Sequence, residues 1–418
     1  MQLSYKTRIY PTPEQEEVLW SLSDRCRLLY NFALQERQCE WEVNKRSISY
    51  SHQQNRLPYL KKKYYQYEQV YSKVLQSTLQ KLDGSYDSFY KLQKGGDKSA
   101  RPPSYRGKEY FFTMNYNQSG FKIENDKIKF SQFYNEDVNL EFDINLSVKL
   151  GTVKQVELFE DDNNKYYVSI THEVRTPEHV DNEFYQAWDL GVIKQTAVNT
   201  DGKFIEMKNI RPDIYWRIGI SRLQSRRDHC KKRDGRKKNC KISSKNWSRF
   251  NNLKRKCEIK CSNQIKDFQH KTSKKIVTNT KANIILVGDL SVKSMAQSDQ
   301  SNHNLNKSTQ GTGYLSRFTQ LLTYKAEKIG KKVIKVDERY TSKKCCKCHK
   351  IHLMKLSDRV MICDCGNTID RDRNSSVNIM VRYLSQNALW TGYQLFTDNL
   401  RKTGLDIIPV HSQENPIL

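Results

Sequence analysis

What this chain lacks narrows it first. No run of about 18 apolar residues occurs in its 418 residues, so nothing in it reads as a membrane span. Its opening, MQLSYKTRIYPT, holds no apolar core of a secretory signal. The expected compartment is therefore the cytoplasm, with the chain drawn to the nucleoid by nucleic acid. No internal repeat stands out, so a solenoid is not expected. Acids are also short: 46 Asp and Glu face 72 Lys and Arg, a net charge of +26. Such a surface repels itself unless a polyanion neutralises it. The excess is concentrated between Arg222 and Lys260, with sixteen basic against three acidic residues, a net of thirteen. That stretch lacks the clean apolar face of a membrane-surface helix. The expected partner is nucleic acid, bound with strong salt dependence through phosphates. The residues singled out for it are Arg222, Ser225, Arg226, Lys231, Lys232, Arg233, Lys254, Arg255 and Lys256.

With 37% hydrophobic residues the chain can bury a core, and its length suggests about two to four domains. LSYKTRIYP reads as a strand. Thr12, Pro13 and Gln15 then form a helix start with a capping box. Val18, Leu22, Leu29 and Phe32 share one side of that helix, and Leu75, Leu79, Leu82, Tyr86 and Phe89 keep the spacing of a second. Tyr50, Tyr59, Tyr64, Tyr65, Tyr67 and Tyr71, interleaved with Lys61, Lys62 and Lys63, suit base stacking or ordinary packing equally. After GGDKSARPPSYRGK the pattern turns to short strands, with DDNNK as a hairpin turn. From Phe184 three meandering strands are followed by strands alternating with helices, the order of an RNase H-like layered α/β domain. Residues 298–313 are polar, either a lid or a plain surface loop.

Three constellations carry chemistry. Asp189, in AWDLGV, ends an apolar strand just before Gly191. A carboxylate buried there is costly unless a metal ion compensates it; the plainer reading is a turn aspartate. Asp372, in IDRDRNSSVNIM, opens a helix whose Val377, Met380 and Leu384 face a core, though it or Asp370 also suits the helix dipole. Of eleven cysteines, Cys26, Cys39, Cys230, Cys240, Cys257 and Cys261 are scattered and five crowd between Cys345 and Cys365. Cys345-x2-Cys348 and Cys363-x-Cys365 have the layout of a tetrahedral, structural zinc site, with Cys346 and then His349 as substitute ligands.

The order of these motifs, from the DLG strand through GDLSVKSM, YTS-K-x-C-x-x-C and C-x-C-G to DRDxNSSxNI, resembles the TnpB proteins of transposons. These are relatives of the type V CRISPR effectors and of Fanzor proteins. The resemblance is strong from Ala187 to Met380. It is looser in KTRIYPTPEQ and LQSTLQKLDGSYDSFYK, and absent beyond about residue 386. It implies an RNA-guided DNA endonuclease, one protein per RNA. A guide RNA from the transposon end reads a double-stranded DNA target, and the protein reads a short adjacent motif.

The implied organisation is a multidomain α/β chain: a wedge-like β-barrel (1–10 and 96–180), a helical recognition module inserted in it (11–95), an RNase H-like RuvC nuclease domain (181–340 and 370–385), a zinc-ribbon insertion that binds the target nucleic acid (341–369) and a tail (386–418). By resemblance Asp189 is the first RuvC acid and Asp372 the third. The second, usually a glutamate in the GDL strand, is here Gly288. Asp289 points to the other face of that strand and suits a turn cap. Glu338, in VDERYTS, ends the next strand, and neighbouring strands lie about 5 Å apart, so its side chain reaches the space above Gly288. Some TnpB and Fanzor proteins resemble this arrangement. The expectation is a relocated acid; the plainer reading of Glu338 is a solvated acid paired with Arg339. The trio would hold two Mg²⁺ ions about 4 Å apart. Arg371 and Asn374 would touch the cut strand or serve structure. A nuclease-dead, RNA-guided DNA-binding repressor is the alternative that Gly288 motivates. A zinc-containing RNA binder without DNA targeting is a third, and no separate transposase motif is seen.

Overall fold

The computed structural model describes residues 1–161, 163–230, 233–234, 241–242, 244–289, 314–355 and 357–408, with backbone alone at 233–234 and 241–242. The chain divides into two compact units, Met1–Arg175 and Thr176–Leu418. Among the described residues no helix is long and apolar enough to cross a membrane.

In the first unit β1 (Gln2–Ile9) leads into α1 (Pro13–Asn44). The Thr12 hydroxyl accepts from Gln15 N–H at 3.3 Å, and Gln15 Oε1 accepts from Thr12 N–H at 3.0 Å, a complete capping box. Val18, Leu22, Leu29 and Ala33 are buried along one side of this helix. Short helices α2 (Tyr50–Asn55) and α3 (Leu57–Lys63) precede α4 (Ser72–Lys94), which buries Leu75, Leu79 and Leu82. The strands β2 (Met114–Asn117), β3 (Phe121–Glu124), β4 (Lys127–Phe130), β5 (Glu141–Asp143), β6 (Val153–Glu160) and β7 (Tyr166–Glu173) follow. The first strand pairs with the last, from Gln2 opposite Glu173 to Ile9 opposite Tyr166. The chain thus leaves the sheet, builds its helices and returns. Asp161 Oδ1 accepts from the amides of Asn163 and Lys165 in the β6–β7 turn. The strands make two sheets, β1-β7-β6-β2 and β3-β4-β5. No ladder joins the two among the described residues, and Ile128, Phe142, Val156 and Ile170 from both share one core with α1 and α4.

The second unit is built on β8 (Tyr185–Leu190), β9 (Lys194–Asn199) and β10 (Phe204–Lys208), then α5 (Pro212–Asp228), the two-residue partners β11 (Arg233–Asp234) and β12 (Lys241–Ile242), and α6 (Lys245–Asn279). It continues with β13 (Ile284–Gly288), α7 (Ser316–Lys328), β14 (Lys332–Val336), the hairpin β15 (Val360–Ile362) and β16 (Thr368–Asp370), α8 (Arg371–Gln386) and α9 (Trp390–Lys402). The sheet order is β10-β9-β8-β13-β14: an antiparallel meander extended by two parallel strands. Both faces are covered. Tyr185, Ala187 and Leu286 pack on Val377, Met380 and Leu384 of α8 and on Phe396 and Leu400 of α9. Trp188, Ile285 and Val287 pack on Ile276 of α6 and on Phe318 and Leu322 of α7. Runs buried on both sides, such as IILVG, are what parallel strands between helices require. The stretch from 386 on therefore includes a helix that closes the core.

Candidate active site

The strands β8, β13 and β14 are parallel and end on one edge. In layered α/β sheets that edge is where ligands sit. Asp189 lies one residue past the Trp188–Val287 pair, and Gly288 is paired with Val336, two residues before Glu338. A Cβ built on Gly288 would overlap Glu338 Oε2 and lie 3.0 Å from the carboxyl carbon. The Glu338 carboxyl fills the space of the side chain that Gly288 lacks. Its Oε2 is buried without a hydrogen-bond partner, the costly state of a polar atom. Burial first, then the charges of Asp189, Asp289 and Asp337, push this carboxyl up to about 8. Arg339, the partner of the plainer reading, instead binds Asp337 at 2.8 Å. Asp289 is exposed and pairs with Lys335 at 3.1 Å; the turn it would cap lies outside the described residues, as do residues 298–313.

Asp372 stands in the first turn of α8. The cap itself is Asp370, whose Oδ1 accepts from the amides of Asp372 at 2.9 Å and Arg373 at 3.2 Å. Asp372 is thereby released from capping. Burial first and the neighbouring Asp372 second push Asp189 up to about 7, against a hydrogen bond from Ser375 and the charges of Arg371 and Lys194. The three acids are thus linked by charge, Asp372 acting on Asp189 and Asp189 on Glu338.

Lys194 was not singled out from sequence. Its ammonium lies 3.0 Å from Asp370, 3.4 Å from Glu206 and 3.5 Å from Asp372. The signal for it was its place at the start of β9, in the hairpin that pairs Asp189 with Thr196. Of the two flanking residues, Asn374 is fully buried. It accepts from Cys346 N–H at 2.8 Å and donates to Lys344 O at 2.8 Å. Arg371 donates to Lys355 O at 3.1 Å and to the Ser342 hydroxyl at 3.3 Å. Asn374 holds the turn between β14 and the cysteines, and Arg371 ties that turn to the loop between the two cysteine pairs.

Cys345, Cys348, Cys363 and Cys365 bring their sulfurs within 4.8 Å of one another, the one such group among the described residues. Four thiols at that spacing suit tetrahedral zinc. The short second knuckle is turned by Gly366, whose φ of +81° favours glycine. Cys346 lies apart, in the core beside α8, and burial pushes its thiol up to about 12. His349 hydrogen-bonds Ile408 O at 2.9 Å instead of joining the sulfurs. His352, missed in the sequence, lies 3.1 Å from Cys363 Sγ. Asp189, Glu338 and Asp372, at two strand ends and in the first turn of α8, are not gathered as closely as the sulfurs. Oxygen donors, one of them orphaned and two held above their ordinary protonation range, suit a hard divalent cation such as Mg²⁺.

Arg222, Ser225 and Arg226 are exposed on α5, and Arg255 and Lys256 on α6, where Lys254 pairs with Glu258 at 2.8 Å. Lys231 and Lys232 lie outside the described residues, and Arg233 is described by its backbone alone. In the first unit Tyr59, Tyr64 and Tyr65 are exposed, whereas Tyr67 is buried in the core. Lys63 lies over the Tyr64 ring at 5.4 Å.

Comparison with known proteins adds the following. The family description "Cas12f1-like, TNB domain" matches residues 316–379, a span that includes Glu338, the four cysteines and Asp372. "Helix-turn-helix domain", of the OrfB type of IS605, matches residues 1–46, which here are β1 and the uninterrupted α1. A relative from Streptomyces pristinaespiralis named "Putative RNA-guided DNA endonuclease" is 25% identical over 397 residues, 93% of this chain and 91% of its own length. "TnpB-like protein L79" of Acanthamoeba polyphaga mimivirus is 33% identical over 141 residues, 33% of this chain and 26% of its own. The solved Cas12f1–sgRNA–target DNA complex has a protein chain of similar fold, with a TM-score of 0.57 at 14% identity, covering 88% of this chain and 83% of that one.

Proposed function

This chain belongs to the TnpB-like proteins, and from that premise we propose that it cuts DNA under the direction of a guide RNA, with Glu338 as the second acid of its nuclease site. The observation that carries the reading is the Glu338 carboxyl in the side-chain space of Gly288, beside Asp189. The match to the OrfB type of IS605 and the TnpB-like relatives support a guide derived from the transposon end.

Asp189, Glu338 and Asp372 would hold divalent ions. Mg²⁺ bound there would supply the positive charge that activates water and steadies the departing 3′-oxygen. The chain's own part is placement. Ser375 donates to Asp189 and orients it, and Asp370 takes the capping of α8, which leaves the Asp372 carboxyl free of that task. Lys194 neutralises part of the acid excess beside Asp372. The exposed bases of α5 and α6 suit phosphates of RNA and target strand. The cysteine ribbon would carry one structural zinc and meet the target nucleic acid, and the first unit, with a wedge-like role for its sheets and a recognition role for its helices, would read the target-adjacent motif. A chain with this partner set works in the cytoplasm, on the nucleoid.

The test is cleavage by the purified protein–RNA complex, expressed with the flanking transposon-end RNA. It is offered plasmids with a matched target and randomised flanks in Mg²⁺, beside Asp189→Ala and Glu338→Ala. Cutting by the wild type alone is the expected result. Retention of the matched plasmid without any cutting would overturn it in favour of a guided repressor.

A further inference from the structure

Glu338 lies two residues past the end of β14, where no ladder bond among the described residues holds the chain. A carboxyl that must fill one particular volume needs its main chain fixed by other means. Thr341 supplies part of this: its amide and its hydroxyl both donate to Glu338 O, at 3.1 and 2.8 Å, and the hydroxyl meets Ser375 at 3.1 Å.

The other holder is Arg382, nearly three turns along α8 from Asp372. Its side chain is only 6% exposed, with the like charges of Arg339 and Lys344 nearby. A guanidinium there is expensive unless its donors are used. With the Asp337 carboxylate it makes only a loose ion pair, at 3.9 Å. Its hydrogen bonds go to main chain instead: Nη1 donates to Asp337 O, and Nη2 to Arg339 O at 2.9 Å. These are the two carbonyls on either side of Glu338.

We infer that Arg382 is a positioning residue for Glu338, pinning both flanking carbonyls so that the carboxyl stays in the volume above Gly288. The inference rests on the reading of Glu338 as the second acid. It gives α8 a double task, since one rigid helix then carries Asp372 and fixes Glu338. A glutamate placed on β13 would be held by that strand's own ladder and would need no such clamp.

The test reads ion binding apart from cleavage. Tb³⁺, a hard cation that prefers carboxylate oxygens to thiolates, is titrated into the wild-type protein–RNA complex and its variants by luminescence, with Mg²⁺ competition. Arg382→Met is compared with Val381→Ala, a change at the adjacent buried residue that weakens packing without touching a carbonyl. The expected result is a loss of Tb³⁺ affinity of about 10- to 100-fold in Arg382→Met, the range for partners that orient metal ligands, with Val381→Ala within about twofold of wild type. Arg382→Lys, which keeps a donor and the charge, should recover part of the loss. In a chain carrying Gly288→Glu with Glu338→Gly, adding Arg382→Met should cost little. Equal losses in Arg382→Met and Val381→Ala, or no recovery with lysine, would overturn the inference. If the wild type binds Tb³⁺ but fails to cut a matched target, the endonuclease reading fails, and the clamp is still judged by affinity alone.

Discussion

Glu338 and Gly288 share a single side-chain volume, and most expectations at the residue scale follow from that. Gly288→Ala forces the carboxyl out, so cleavage should fall by at least about 10-fold while RNA binding stays, measured by guided cleavage and filter binding. Glu338→Gln and Asp189→Asn should each cost more than about 100-fold, beyond what an outer partner of a metal costs. Stability also becomes pH-dependent. The carboxyls of Asp189 and Glu338, at about 7 and about 8, hold their protons more tightly folded than unfolded. Between the ordinary carboxyl range and pH 8 the folded chain therefore binds more protons, and raising the pH destabilises it. In ion-free buffer the melting temperature should fall from pH 5 to pH 9, less steeply in Glu338→Gln, and Mg²⁺ should offset the fall. At this scale the reach of Glu338 over Gly288 was legible because strand spacing is a constant of sheets. Lys194 was not, since its three carboxylate neighbours come from one residue of β10 and two distant residues around the start of α8. The partners of Asn374 and Arg371 were hidden for the same reason: they lie in the turn before the cysteines and in the loop between them, whose paths no local pattern specifies.

Among elements, α8 and the cysteine hairpin matter most. The hairpin β15–β16 runs directly into Arg371, so the ribbon is tied to the helix that carries Asp372. Zinc removal by a chelator should expose the segment from Cys345 to Cys365 to protease and lower cleavage. Isolated zinc peptides lose about 10–16 kcal/mol on such removal, which bounds the local effect. Cys348→Ser should abolish stoichiometric zinc, scored by a metallochromic dye. Cys346→Ser should retain it, since Cys346 lies outside the sulfur cluster. The cap of α1 and the strands of the second unit were readable from Thr12-Pro13-x-Gln15 and from runs such as IILVG, because caps and doubly buried strands leave short-range marks. The grouping of the first unit's strands into two sheets was not, because hydrogen-bond partners between strands far apart in sequence leave no such mark. Nor was the packing of α9, which lies past the last motif yet buries Phe396 and Leu400.

At the scale of the whole molecule the charge of +26 predicts binding set by salt. Log affinity for guide RNA should fall steeply and linearly with log salt, and Arg255→Gln with Lys256→Gln should reduce the slope by about one for each phosphate left without its cation. The nucleic-acid role was visible from the sixteen basic residues in one stretch, although which of them touch phosphate is a matter of surface that composition does not order. The shared volume of Gly288 and Glu338 also bears on descent. A chain with a side chain at both positions must displace one of them, so the two arrangements of the acid are mutually exclusive. A lineage moving from one to the other by single replacements would have to cross either a crowded site or one short of an acid.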